Sequence, residues 1–541
     1  MSVYIKKVKI SNYRSIKNEE FDLAVPNGQH GSGLTIVVGP NNVGKSNACR
    51  AIDALFNKFS GDDKTHGTDD TTSIEVEFIS SDFEKSIETY VTENKQAAYK
   101  SAVLDGSMHA KRSDEESISK IFLKQSDGTY KNSSGIDAPF GSWMKMRTID
   151  PEYTTDEATK YGTTSILGDL LGKIFKEIEE EKRYDDLKDA FKDLFEDNSI
   201  FEKKSKDVSE KVSGYIKEFY GEVGINFVPE RPDLNALTKN VKTIVKDGSH
   251  DSEINTKGSG LQRAVIIALI QAYAASFEKS EHKKPFYLTI DEPELSLSAQ
   301  GQKKLLNALR VITQREQIIL VTHSPYFANW TDLVNGAKIG RATFSKKEGT
   351  KLHWLDSTSK YSELIDNSEK EWQKPFILDE ATKEILFSNS VLMLEGQEDV
   401  GLVRKWANEC DKLLPYDVFG YGVQGYVNFR PYLQMAQDTG LEKVAAIYDY
   451  GEAESKCMEK DSEDFSSFKL LQLKANDIRD KYRPCGNCEM CAIDVKKCKN
   501  KIQFKTGCFD EHGNKKEASE EFKNFVLIMD QVDEYFGGSD E

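Results

Sequence analysis

Apolar and polar positions alternate from Val3 to Ile10, the period of a strand with one buried face, and Phe21-Asp22-Leu23 supplies an antiparallel partner beyond the turn at 15–19. Leu34-Thr35-Ile36-Val37-Val38 is almost continuously apolar, which predicts a strand covered on both faces. A helix is predicted over 47–59 and a further strand over Ser73 to Ile79. The regularity then lapses. Within 80–239, Leu167 to Asp197 and Ile200 to Tyr220 carry apolar residues at helical spacing among dense Lys and Glu, which predicts a helical arm with solvated charged faces. Two paired strands, Asn240 to Asp247 and Ser252 to Thr256, are expected to return the chain to the sheet. An apolar helix over Ala264 to Ala275 and apolar strands ending at Asp291 and at Val321 follow.

A second α/β pattern begins after a polar stretch with short strand-like pieces at Ala342 to Phe344 and Lys351 to Trp354. Its strands are read at Asn389 to Glu395, Tyr416 to Tyr421 and Val444 to Asp449, with a helix over 425–437 between the last two. The pattern therefore divides into an α/β domain formed by 1–79 and 240–345, an inserted helical or dimerisation region at 80–239, a linker at 346–385, and a second α/β domain at 386–541 that contains a Cys-rich insertion at 482–513.

With 541 residues the chain is long enough for two or three domains, each with its own core. Its 73 Lys and Arg against 90 Asp and Glu give a net charge of −17, which argues against a general polyanion-coating surface and leaves room only for a local basic groove. No apolar run approaches the roughly 20 residues needed to span a bilayer, and the start lacks a signal-peptide core, so a cytoplasmic protein is expected.

The chemistry concentrates at strand ends. After Val38 comes Gly39-Pro40-Asn41-Asn42-Val43-Gly44-Lys45-Ser46, where a strand feeds a glycine-bearing turn that opens a helix. Such a turn aims backbone N–H groups and the positive helix end at one point, a natural seat for a polyphosphate; Lys45 adds charge and Ser46 a hydroxyl for Mg²⁺. The strand from Pro285 ends in Asp291 and Glu292, placed to hold the water shell of Mg²⁺ and to polarise an attacking water, and the strand at 317–321 ends beside His323, which can touch a γ-phosphate. Gly258-Ser259-Gly260-Leu261-Gln262 is a small-residue turn before a helix, weak as a signal by itself.

Together these motifs resemble the ABC-type ATPases, specifically the branch of chromosome-maintenance and recombination-repair ATPases. Lys45 and Ser46 look like Walker A residues, Asp291 and Glu292 like the Walker B pair, His323 like the switch histidine, and Gly258 to Gln262 like the signature, with departures at its first and fourth positions. The resemblance implies a dimer in which Ser259 and Gly260 of one copy complete the ATP site of the other.

In the second half, Glu395 and Asp449 end neighbouring strands, an arrangement in which converging carboxylates hold Mg²⁺ or Mn²⁺ for phosphodiester chemistry. Glu398, Asp399, Glu452 and Glu454 are candidates to complete that set, and helix capping accounts for them equally well. Leu394-Glu395-Gly396 and Asp449-Tyr450-Gly451 resemble the two motifs of the topoisomerase-primase (Toprim) domain, except that Gly451 stands where the second aspartate belongs. An ABC-type ATPase joined to a Toprim domain resembles the OLD (overcoming lysogenisation defect) nuclease family, which implies a role in bacterial defence against phage. Finally, Cys485, Cys488, Cys491 and Cys498, with Cys508 and His512 behind, offer a tetrahedral site. Zinc is preferred there, and an iron–sulfur cluster is the alternative.

The reading is an ATP-hydrolysing, Mg²⁺- or Mn²⁺-dependent nuclease acting on nucleic acid, DNA ahead of RNA, as a homodimer or homotetramer, with a companion protein or nucleic acid left open. Its competitors are an ATPase clamp or sensor whose Toprim domain only binds, and a structural ATPase of the repair type.

Overall fold

The structure is a computed structural model. It describes residues 3–537 apart from 66, 134, 152–180, 196–199, 221–242, 248–249, 277–284, 357–358, 361–381, 475–507, 510–514 and 517–519. Two compact units form, one from Met1–Pro151 with His282–Glu541 and the other from Glu152–Glu281.

The first unit opens with β1 (Val3–Tyr13), β2 (Ile16–Asp22) and β3 (Leu34–Val38), the last buried at all five positions. Helix α1 (Lys45–Asn57) follows, then β4 (Ser73–Ser80), α2 (Phe83–Tyr90), α3 (Glu93–Lys100), β5 (Val103–Leu104), β6 (Ser107–Ser113), β7 (Ser117–Lys124), β8 (Tyr130–Lys131), α4 (Asp137–Trp143) and β9 (Lys145–Ile149). Residues 103–149, expected in the helical insertion, thus contribute strands to the main sheet. Their alternation is obscured because β6 turns a guanidinium inward: Arg112 is buried and donates to the carbonyls of Leu55 (3.0 and 2.8 Å) and Ile118 (2.8 Å). It satisfies the Leu55 carbonyl, near the end of α1, which no helical N–H reaches.

The second unit contains α5 (Lys182–Phe195), α6 (Ile200–Tyr220), the hairpin β10 (Ile244–Asp247) and β11 (His250–Glu253), and α7 (Ser259–Ser276). The helical spacing read over 200–220 is realised, and so is the pairing of the two strands. That hairpin is a separate two-stranded sheet rather than a return to the main one, since antiparallel neighbours four residues long satisfy one another locally.

The first unit resumes with β12 (Phe286–Asp291), α8 (Ala299–Ile312), β13 (Gln317–Val321), β14 (Lys338–Ser345) and β15 (Gly349–Leu355). The sheet order is β8-β7-β6-β4-β1-β2-β15-β14-β3-β13-β12-β9, with β5 beside β6. From β14 to β9 the neighbours are parallel, and from β15 to β8 they are antiparallel. The region expected to be a linker from residue 346 therefore supplies β15, a strand in mid-sheet that contains the strand-like piece Lys351 to Trp354 and pairs with its sequence neighbour β14 on one side and with the distant β2 on the other. One face of the sheet packs on α1 through Ala48, Ala51, Ile52 and Leu55, within a core that includes Phe78, Phe140 and Tyr287. Each fully buried side chain of the Ile52 or Leu55 type contributes about 1.5–3 kcal/mol.

The rest of this unit is a second sheet. It comprises β16 (Ser390–Leu394), α9 (Gln397–Glu409), β17 (Asp417–Val418), α10 (Phe429–Asp438), β18 (Lys443–Tyr448), α11 (Glu452–Asp464) and β19 (Lys469–Gln472), with strand order β17-β16-β18-β19, all parallel. The strand expected over 416–421 shrinks to two residues, because Gly420 and Gly422 take positive φ and divert the chain. After the short pair β20 (Cys508–Phe509) and β21 (Lys515–Lys516), α12 (Glu520–Gly537) covers the sheet, with Phe525 edge-on to Trp406.

Arg341 joins the two sheets. It is buried on β14, and its guanidinium donates to the carbonyls of Leu386 (3.2 Å), Ser388 (2.6 Å), Thr439 (3.1 Å) and Gly440 (3.3 Å), all from the second sheet's half. Burial holds its pKa down at about 10. Four carbonyls around one planar cation form a directional joint that an apolar contact cannot supply.

Candidate functional site

The loop from Gly39 to Ser46 lies between β3 and α1. Gly39, Asn42 and Gly44 have φ of 136°, 63° and 90°, and at Gly44 a β-carbon would meet Thr350 Oγ1 at 2.2 Å and Ser15 Oγ at 2.4 Å. Only glycine combines that φ with that clearance. The loop is braced from outside: Thr350 Oγ1 donates to the Val43 carbonyl (2.8 Å), and Asn47 Nδ2 donates to Ser15 Oγ (2.7 Å). Asn41 and Asn42 face solvent at the rim.

Lys45 is buried, and its Nζ bends back to donate to the Pro40 carbonyl at 2.6 Å. Burial lowers its pKa to about 8, opposed by Asp291, Glu292 and Glu294. Parallel pairing carries β12 and β13 to the same edge as β3, so Asp291 and His323 arrive beside this loop. Asp291 is buried, which raises its pKa; Ser46 hydrogen-bonds its carboxylate, and Oδ1 is buried without a hydrogen-bond partner. An uncompensated buried carboxylate oxygen beside a serine hydroxyl is costly in isolation, and it suits the coordination shell of Mg²⁺.

Glu292 sits at φ 49°, with its N–H donating to the Val321 carbonyl (2.8 Å). A non-glycine residue in this region is strained, and its neighbours must hold it there. Its Oε1 lies 3.8 Å from His323 Nε2. Burial and Lys45 push the His323 pKa below 6.5, which favours a neutral ring. The sequence reading assigned nothing to Glu294, Ser15 or Thr350; all three act across strands, so no local spacing announces them.

Ser259 and Gly260 begin α7 in the other unit, Ser259 exposed and Gly260 half-buried. Gln262 Nε2 closes the turn onto the Lys257 carbonyl (2.8 Å).

At the C-terminal edge of the second sheet, β16 and β18 run side by side with Leu394 opposite Ile447. Glu395 and Asp449, both half-buried, follow directly at adjacent strand ends. The loop after β17 closes over the first: Gly425 N–H donates to the Glu395 carbonyl (3.0 Å), and a β-carbon on Gly422 would meet Gly396 within 3 Å. The four additional acids divide. Asp399 accepts from the Gly396 N–H (2.8 Å), the capping role; Glu452 is ion-paired with Lys456 (2.7 Å); Glu398 is exposed; and Glu454 folds back over Gly451. Among the described residues no three His, Cys, Asp or Glu side chains gather closely enough to hold a metal. Cys485, Cys488, Cys491, Cys498 and His512 lie outside the described residues, and Cys508 begins β20.

A phosphate-type loop on one strand of a parallel sheet, with a carboxylate pair and a histidine at the neighbouring strand ends, defines an α/β ATPase domain. Residues 3–328 match the AAA ATPase domain family, more than half of the chain, and the chain belongs to that family. Its resemblance to OLD-family proteins extends over most of its length: it is 22% identical over 412 residues to the OLD nuclease of Thermus scotoductus, covering 73% of this chain and 72% of that protein. Among solved structures it is similar to the SMC head domain of Thermotoga maritima, at 12% identity and a TM-score of 0.32 over 66% of this chain and all of that one. It is also similar to the Pyrococcus furiosus Smc head bound to the C-terminal domain of ScpA, at 16% identity and a TM-score of 0.40 over 68% of this chain and all of that one. Among the described residues no helix is long and apolar enough to cross a membrane.

Proposed function

We propose that the chain is an ATP-binding and ATP-hydrolysing, metal-dependent nuclease of the OLD type, serving in bacterial anti-phage defence, in which the state of the ATP site gates a Toprim phosphodiesterase site. The observation that carries the ATPase half is the collection of Lys45, Ser46, Asp291, Glu292 and His323 at one sheet edge, with a buried carboxylate oxygen left for a cation's shell. Gly39, Asn41, Asn42 and Gly44 wrap the phosphates and Lys45 neutralises them. Ser46 and Asp291 would hold Mg²⁺, which would offset the charge on the β- and γ-phosphates. Glu292 orients and deprotonates water, and neutral His323 contacts the γ-phosphate. Ser259 and Gly260 of a second copy complete the site.

For the second half, parallel β16 and β18 put Glu395 and Asp449 on one edge, which supports a Toprim-like domain over 386–541 acting on DNA with Mg²⁺ or Mn²⁺ held by these two residues. Cys485, Cys488, Cys491 and Cys498 are proposed as ligands of a structural Zn²⁺. The Arg341 joint supports gating, since β14 also borders the phosphate loop: a β-carbon on Gly39 would lie 2.7 Å from the Ala342 carbonyl.

A second reading, an ATPase sensor whose Toprim-like half only binds, is favoured by one observation: Gly451 occupies the second motif position, with Glu454 folded over it. Cleavage of plasmid DNA and of RNA with Mn²⁺, under no nucleotide, ADP, ATP and a non-hydrolysable analogue, separates the two. The nuclease reading expects nicking that Glu395→Ala abolishes and that responds to nucleotide. Equal inertness of wild type and Glu395→Ala on every substrate leaves the binding module. Glu292→Gln is expected to retain ATP binding and lower turnover by roughly 10²-fold or more; unchanged hydrolysis would refute its assignment.

A further inference from the structure

The proposed ATP chemistry leaves one carboxylate at this edge unused. Beyond Asp291 the chain turns tightly, with Leu295 N–H bonded to the Glu292 carbonyl (3.2 Å) and Leu297 N–H to that of Glu294 (3.0 Å). The turn brings the Glu294 carboxylate across to the end of β13. There Oε2 accepts from Thr322 Oγ1 at 2.7 Å, and Oε1 accepts from the His323 backbone N–H at 2.6 Å. The Thr322 hydroxyl in turn accepts from Ser324 N–H at 3.0 Å. Both oxygens of one carboxylate are thus committed to consecutive residues of the neighbouring strand end. Burial raises the Glu294 pKa, so the arrangement bears a desolvation cost. Satisfying a single backbone N–H needs no buried charge; holding the strand end at two points, the Thr322 hydroxyl and the His323 backbone N–H, uses both carboxylate oxygens.

We infer that Glu294 is a positioning residue for the Glu292–His323 pair. Three bonds tie the two strand ends together: Glu292 N–H to the Val321 carbonyl, and the two accepted by Glu294. They fix the Cα of His323 relative to that of Glu292, and hence the 3.8 Å approach of Nε2 to Oε1. Glu294 acts through these bonds, which occupy both of its oxygens. Its removal lets the histidine drift, and displacements on the order of 1 Å cost about 10²-fold in rate with little effect on binding.

The inference rests on the ATPase reading, and the test separates the two. Steady-state ATP hydrolysis and binding of a fluorescent ATP analogue are measured on full-length wild type, Glu294→Ala, Glu294→Gln, Thr322→Val and Glu292→Gln, with melting midpoints recorded for each. In Glu294→Gln the amide oxygen still accepts from the His323 N–H, while the bond to Thr322 loses its charge and must reverse, with the hydroxyl accepting from the amide N–H₂. The expected order is a kcat loss of roughly 10²-fold for Glu294→Ala and roughly 10-fold for Glu294→Gln and Thr322→Val, with KM and analogue affinity within about 3-fold of wild type. If Glu294→Ala does not fold, Glu294→Gln and Thr322→Val carry the same comparison. Unchanged kcat in the variants, or loss of kcat only in step with KM and melting midpoint, overturns the inference while Glu292→Gln still upholds the ATPase. A wild type that does not hydrolyse ATP overturns the ATPase reading itself.

Discussion

The two strand-end edges differ in how their acids are held. At the first, Asp291 is buried beside Ser46, Glu292 is locked at a strained φ, and Glu294 spans to β13, so each carboxylate has a fixed and distinct place. At the second, Glu395 and Asp449 share an edge, while Asp399 caps a helix, Glu452 pairs with Lys456 in solvent, and Gly451 contributes no side chain. Acids close together in sequence can thus be mutually wired or separately spent. The distinction lies in whether bonds cross between strands.

The largest effect that sharpens this comparison is expected at the wired edge. Lys45→Ala removes the buried cation that Asp291, Glu292 and Glu294 surround, and nucleotide binding should fall by about 10²-fold or more, as a charge-assisted phosphate contact is lost among acids that repel the ligand. Titration with a labelled nucleotide reads it directly; affinity within twofold of wild type would mean that the loop does not seat phosphates.

An intermediate effect is expected at the other edge. Gly451 has φ −177°, which any residue adopts, and an added β-carbon meets only the carboxylate end of Glu454, at 2.0 Å from Oε2. Gly451→Asp should therefore fold once Glu454 swings aside, and it should lower the Mn²⁺ concentration for half-maximal cleavage by roughly 3- to 10-fold, the scale of one added weak carboxylate ligand. An unchanged midpoint would show that this edge does not need the second aspartate, and the contrast with the ATP site would narrow.

The smallest effect concerns the joint between the sheets. His353 on β15 packs against Gly440 and contacts Thr343 Oγ1 through Nε2 (3.0 Å). Burial first, and then Arg341, lower its pKa below 6.5. Since the folded-state value is depressed, the unfolded chain binds the proton more readily: stability is full above 6.5 and declines as pH falls from there toward the folded-state pKa. A modest drop in melting midpoint over that window, reduced in His353→Gln, is expected from calorimetry. An identical profile in the variant would remove this histidine from the account.

Much of the ATP site was legible in the sequence, because a phosphate loop is a local object. Gly39, Gly44, Lys45 and Ser46 sit in one turn, and the buried strands before it and before Asp291 show as apolar runs. The second sheet was legible for the same reason at β16 and β18. The segment 103–149 was not, since Arg112 interrupts its alternation in order to serve the Leu55 carbonyl, 57 positions away. β15 was legible in part, as the strand-like piece Lys351 to Trp354, but its pairing with the distant β2, which sets it in mid-sheet, was not.

The sequence by itself marked the phosphate-type loop, the candidate carboxylates and the strands that present them, since glycine conformation, side-chain type and hydrophobic period are properties of a few adjacent residues. Only the tertiary structure decided which acids work together. Glu294 reaches His323 across 29 positions of sequence and Arg341 reaches Gly440 across 99. Such bonds exist only once parallel strands and packed sheets have brought those positions to one edge, and no local spacing encodes them.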